Sequence, residues 1–251
     1  VLLCMHDLYW NEVVPEHRLE TADPKAREYE RQLRLQIWQW EYVDDDCVTE
    51  PIVEYSLDHR KPQLIAPEKT RPDIDTLGAY HVVPVIKKES DIEKVIIDTE
   101  RYIDWDATDR NREWVQEVFD GILIPVRRPL WFGCAPFDYL CEIRGMDNVF
   151  LDMFERPEWL EEIMRRLYQL HIDNALFMER ENALVLNNSY QLASNGGQGY
   201  TDELPAEGFE PDERVRLRDI WGHSTGQASV SISPEMHERF ITQFDRLYHQ
   251  L

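Results

Sequence analysis

Asp219-Ile-Trp-Gly-His-Ser-Thr-Gly-Gln-Ala-Ser-Val-Ser-Ile-Ser-Pro-Glu-Met-His-Glu-Arg-Phe240 changes character halfway along. Its first half sets Trp221, His223, Gln227 and Ser231 among short apolar residues, the pattern of a strand running into a polar mouth. The second half starts a helix. Ser233 can cap it, Pro234 suits the first helical position because its missing N–H would be an orphan there, and Glu235 lies where the helix dipole favours an anion. A polar strand end followed at once by a capped helix is how a β/α barrel displays its site residues.

Working outward, the preceding elements alternate. Val1–Met5 has the apolar run of a buried strand, with His6-Asp-Leu-Tyr-Trp-Asn as a polar, aromatic loop after it. Ala26–Val43 carries Tyr29, Leu33, Ile37 and Trp40 at helical spacing, and Cys47–Tyr55 follows as a second strand. Residues 59–107, with prolines at 62, 67, 72 and 84 and short β-like pieces such as Tyr80-His-Val-Val, are expected to form an insertion or flap. A helix over Asp109–Phe119 leads to the strand Gly121–Val126, which ends at Arg127-Arg-Pro-Leu-Trp-Phe. Pro136–Arg144 is predicted helical. In Pro157–Glu179 the stripe of Leu160, Ile163, Met164, Leu167 and Leu170 marks an amphipathic helix. Ala183–Asn187 is the fourth strand, Ser194–Pro205 a flexible loop, and Pro234–Tyr248 the closing helix.

This order predicts an α/β protein with a parallel sheet. It predicts one incomplete (β/α)8 TIM-type barrel domain over residues 1–251, with about five of eight strands present. The last helix should lead to a sixth strand, so the chain is expected to be truncated.

Composition narrows the partners. With 43% hydrophobic residues and eight Trp the chain can bury a substantial core. Its net charge of −22 repels phosphate backbones and anionic lipid, so neither nucleic acid nor membrane is expected as a partner. No apolar run approaches the roughly 20 residues of a membrane span. The four cysteines form no C-x-x-C pair, which fits a reduced, cytoplasmic setting.

Arg156-Pro-Glu-Trp-Leu-Glu-Glu-Ile-Met, Gly199-Tyr-Thr-Asp-Glu-Leu-Pro, Asp219-Ile-Trp-Gly-His and Ser231-Ile-Ser-Pro-Glu-Met-His-Glu-Arg-Phe together resemble the uroporphyrinogen decarboxylase superfamily. The likeness is to its bacterial branch related to methyltransferases that serve corrinoid proteins and thiols. The resemblance implies a barrel enzyme with its site at the carboxyl ends of the strands. It implies methyl transfer between a small methylated substrate, a corrinoid or a thiol, with porphyrinogen decarboxylation as the alternative and a non-catalytic binding module or inactive fragment as a third reading. The decarboxylases carry an Arg-Gln-Ala-Gly-Arg loop near their start for the porphyrinogen carboxylates, whereas this chain has Met5-His-Asp-Leu-Tyr-Trp-Asn, in which Asp7 would repel a polyanion. The methyltransferases hold zinc with a His-x-Cys and a distant Cys. No His-x-Cys occurs here, and its place in the family would fall beyond Leu251. A zinc ion and a corrinoid partner are therefore expectations of the resemblance alone.

The candidate catalytic residues are His223, Asp202 and Glu54. His223 suits proton transfer because a histidine ordinarily titrates near neutral pH, yet a histidine at a strand end can equally bond a carbonyl. Asp202 adjoins Glu203 in a stretch that could be no more than a solvated acidic loop. Glu54 shares a strand face with Glu50. The candidate binding residues are His6, Asp7, Arg127, Trp131, Asn187, Tyr200, Trp221 and Gln227. Arg127 and Arg128 could each clasp a carboxylate or phosphate with a bidentate fork, or pair with one of 49 acidic residues. Tyr200 could stack on a planar ligand or pin its loop, and His237 has a solvated surface as its simpler explanation.

Overall fold

The computed structural model describes residues 7–70, 80–130, 132–190 and 198–251. It is a mixed α/β protein of helices and short strands, and its chain forms two compact units. The first comprises residues 1–52 and 187–204, the second residues 53–186 and 205–251.

In the first unit, α1 (Asp7–Val13) and α2 (Pro24–Tyr42) are joined by a segment that folds back along α2. The loop expected after Met5 is thus a helix. Its last turn closes through Val14 N–H to Trp10 O at 2.8 Å, and the Trp10 ring meets Trp38 of α2 edge-on with centroids 6.0 Å apart. Asp23 caps α2 by accepting from Ala26 N–H, with Pro24 in the first turn. Three α2 side chains tie the segment down. Arg27 donates to Leu19 O and Thr21 O, Arg31 to Val14 O, and Glu30 accepts from Glu20 N–H, Thr21 N–H and the Thr21 hydroxyl. The Ile37 and Trp40 positions of the predicted stripe are exposed.

The Thr21 amide, first among the donors to the Glu30 carboxylate, helps to lower its pKa to about 2 from the usual 4.5. A depressed carboxylate stabilises the fold above its unfolded pKa and loses that contribution as pH falls through the folded value. The contribution of the clasp to stability should therefore be full at pH 5 and fade as pH falls from about 4.5 to 2, the clasp itself opening near 2. In an NMR titration the Glu30 carboxyl carbon should inflect near 2, and Thr21 amide protection should fall with it. An inflection near 4.5 would show that these bonds do not form.

In the second unit the strands are short and paired in twos. β1 (Ile52–Tyr55) pairs with β8, β2 (His59–Arg60) with β7, β3 (Gln63–Leu64) with β6 and β4 (Glu68–Thr70) with β5, where β5 is His81–Val83, β6 Ile96–Asp98, β7 Tyr102–Ile103 and β8 Ile124–Arg127. The three pairs within residues 59–103 are antiparallel, as suits a segment that returns on itself. β9 (Gly133–Cys134) pairs in parallel with β10 (His223–Ser224). The helices are α3 (Trp105–Phe119), α4 (Pro136–Arg144), α5 (Met146–Glu155), α6 (Pro157–Arg180), α7 (Pro234–His237) and α8 (Gln243–Tyr248), with a π-helical turn at Glu238–Thr242 linking the last two.

The α6 stripe is the centre of the core. Leu160, Ile163, Met164 and Leu167 are fully buried against Phe137, Leu140 and Ile143 of α4, Val149 of α5, and Phe240 and Ile241 of the π turn. Burying a side chain of this size contributes about 1.5–3 kcal/mol. Under one edge of this core, Asp152 of α5 bonds the Arg144 Nε at 2.9 Å and the Arg156 Nη2 at 2.7 Å. Arg144 also donates to the carbonyls of Ile86 and Lys87. A second apolar cluster joins Leu57, Phe177, Met178, Ala183, Leu184 and Ile220, with Leu130 and Phe132 packed against it.

Ladder pairing departs from expectation in definite places. Cys47–Tyr55 is strand only from Ile52, because Cys47 N–H turns back to the Asp45 carboxylate and Val48 bonds the Gln198 amide. Ala183–Asn187 joins no ladder among the described residues. Asn182, at φ 57°, reverses the chain after α6, Ala183 N–H closes on Met178 O, and Leu184 O accepts from the Arg127 side chain, so helix end and arginine take these backbone groups. β9 has no sequence counterpart in the expected alternation. The predicted first strand, Val1–Met5, lies outside the described residues.

Candidate functional site

His223 is held by the backbone of β10. Its N–H donates to Phe132 O at 3.1 Å, and Thr225 N–H to Cys134 O at 3.0 Å. Alternation sends the next side chain the other way. Ser224 Oγ lies 3.0 Å from His249 Nε2 just past α8, so Ser224 faces that helix and His223 the opposite side. The strand approaches α8 closely enough that a Cβ on Gly222 would stand 3.3 Å from His249 Nδ1. Beyond Gly226 a 3-10 turn, Gln227–Ser231, begins with Gln227 and Ala228 N–H donating to the Asp138 carboxylate of α4 at 3.0 and 2.8 Å. That turn leads to the helix read from sequence: Ser233 accepts from Met236 N–H, and the Glu235 pKa is lowered by its own backbone N–H and by the Ser233 hydroxyl.

Arg127 ends β8. Its Nη2 donates to Leu184 O at 3.0 Å, and its guanidinium carbon stands 5.5 Å from the Trp105 ring centroid, over the ring at the start of α3. Asp104 caps α3 through Ala107 N–H and so fixes Trp105 there. The neighbouring Arg128 is neutralised by Glu54, Nε to Oε2 at 2.7 Å. Arg127 has no carboxylate partner among the described residues, and burial lowers its pKa from the ordinary arginine value. Phe132, which receives His223 N–H, and Leu184, which receives Arg127, belong to one apolar cluster. His223 and Arg127 therefore border the same patch of core.

The remaining candidates are placed differently. Glu54 serves Arg128. Trp221 is 37% exposed and precedes β10, and Gln227 lines a shallow hollow with Val230 and His237. His237 is not simply solvated, since its Nδ1 bonds Thr242 Oγ1 at 2.8 Å. Asp7, Asn187, Tyr200 and Asp202 belong to the first unit. Asp7 lies in α1 and Asn187 just before Asn188, whose amide donates to Leu204 O at 2.7 Å. Tyr200 donates to Glu50 at 2.8 Å and pins its loop; desolvation first, then Glu50, raises its pKa to about 12. Asp202 is an exposed loop residue. His6 and Trp131 lie outside the described residues.

Two contributors went unread in the sequence. Trp105 stands inside the presumed excursion, where only its position after a capping Asp marks it, and Asp138 is indistinguishable in sequence from a helix-start acid. Among the described residues no three His, Cys, Asp or Glu side chains cluster as metal ligands, so these residues do not by themselves fit a zinc site. Nor is any helix among them long and apolar enough to cross a membrane. No protein-family model, no curated protein and no solved structure matches the chain.

Proposed function

We propose that the chain is a β/α-barrel enzyme of the uroporphyrinogen decarboxylase superfamily and that it transfers a methyl group from or to a small substrate, with a corrinoid or thiol as the other party. The observation that carries this reading is that Arg127, at the carboxyl end of β8, and His223, in β10, border one apolar cluster. In it, Arg127 holds an anionic group of the substrate, and His223 orients the substrate or moves its proton. The parallel pairing of β9 with β10 and the capped helix after it support the barrel. One uncompensated guanidinium favours a small ligand over a porphyrinogen with its many carboxylates.

The test is made on the natural full-length protein: zinc content, and demethylation of methylcobalamin followed by absorbance with thiol acceptors. Stoichiometric zinc and thiol-dependent demethylation are expected. Absence of metal together with turnover of uroporphyrinogen would hand the protein to the decarboxylases.

A further inference from the structure

In a protein of net charge −22, most arginines of the second unit are met by acids: Arg60 by Asp98, Arg128 by Glu54, Arg144 and Arg156 by Asp152, Arg166 by Glu162 and Glu93, Arg239 by Glu161. Arg127 is half-buried and met by a carbonyl and an aromatic face instead. Desolvating a guanidinium without a counter-charge is costly, and a fork with one donor engaged keeps others to satisfy. The side chain is only half-buried, and one donor of its fork is bound to Leu184 O, so a ligand can reach the guanidinium.

We propose that Arg127 and Trp105 form a binding site for a single carboxylate on a flat small molecule. Carboxylate matches the planar fork, and its one negative charge matches the single charge of Arg127. A phosphate dianion would leave a charge uncompensated, because Glu54 already occupies the adjacent Arg128. Trp105 holds the guanidinium plane by cation–π contact and offers an apolar wall. This proposal deepens the methyl-transfer reading by naming the class of group its substrate carries, and it rests on that reading for calling the ligand a substrate.

Benzoate and inorganic phosphate are the probes, titrated separately at low ionic strength while the Arg127 Nε–H and Trp105 indole N–H signals are followed by NMR. Those signals are assigned by their loss in Arg127→Lys and Trp105→Phe. Benzoate should shift both saturably, and phosphate at ten times the concentration should shift neither. Arg127→Lys keeps the charge but not the fork and should weaken benzoate at least tenfold, with Trp105→Phe weakening it several-fold. Benzoate that moves neither signal in the unaltered protein, or phosphate that binds as tightly, overturns the proposal, and neither result depends on how a variant binds. Neither readout involves methyl transfer, so failure here leaves the cobalamin assay to stand or fall separately.

Discussion

Asp152→Asn is expected to lower the unfolding free energy by about 3–5 kcal/mol, the cost of leaving a buried charge without its partner. Asp152 is fully buried and Arg144 is 5% exposed. The carboxylate meets Arg144 at Nε and again at Nη2, while Arg156 reaches it from the next helix start. Both arginines also lie over the Trp159 ring, at 5.7 and 5.6 Å. Asparagine keeps the shape but offers no charge, and its amide nitrogen would point a donor at a donor. Urea unfolding should show a lower midpoint at unchanged slope. Replacing the pair together, Arg144→Met with Asp152→Leu, removes the orphaned Arg144 charge and should cost less than the single change, the remaining loss coming from the Ile86 and Lys87 carbonyls and Arg156, which lose their partners. A loss under about 1 kcal/mol in the single variant would mean that water reaches Arg144.

How much of this fold was open to the sequence follows from where its signals are local. α6 was legible because helical periodicity and burial coincide over Leu160–Leu170. The Ser233-Pro234-Glu235 start was legible because a cap is a bond between residues three apart. Strands were the weaker half. An apolar run such as Ala183–Leu186 announces burial, which it has at Ala183 and Leu184, but whether its backbone joins a ladder depended on Arg127, more than fifty residues away. β9 was invisible for the converse reason: Gly133-Cys134 carries no period of its own and becomes a strand because β10 lies beside it.

The candidate site divides along the same line. His223 and Arg127 were nominated from residue type and position after apolar runs. Which arginine would be neutralised was a matter of register: β1 lies beside β8, and Glu54 meets Arg128, leaving Arg127 to Leu184 and Trp105. Trp105 was not nominated at all, since its contact with Arg127 crosses from the start of α3 to the end of β8. Long-range pairings of this kind leave no mark at either end of the sequence.

The other large effect is expected at His223. In the proposed transfer, His223→Asn should lower kcat by about 10²–10⁴-fold, the usual loss when a positioned proton-transfer group is removed. The bonds that form β10 come from backbone, His223 N–H to Phe132 O and Thr225 N–H to Cys134 O, and survive the substitution, so the variant should still fold. Arg127→Lys should act differently, raising KM for a carboxylate substrate more than it lowers kcat, since binding an anion that does not react contributes equally to ground and transition states. The two variants therefore separate along the two kinetic axes. A control is at hand in Ser224, which faces α8 and bonds His249: Ser224→Ala should leave kcat within about threefold, an upper limit for a group outside the reacting zone. If His223→Asn stayed within that same margin while Ser224→Ala did not, the working face of β10 would be the one turned toward α8, and the Ser224–His249 pair, not His223, would be the group to examine.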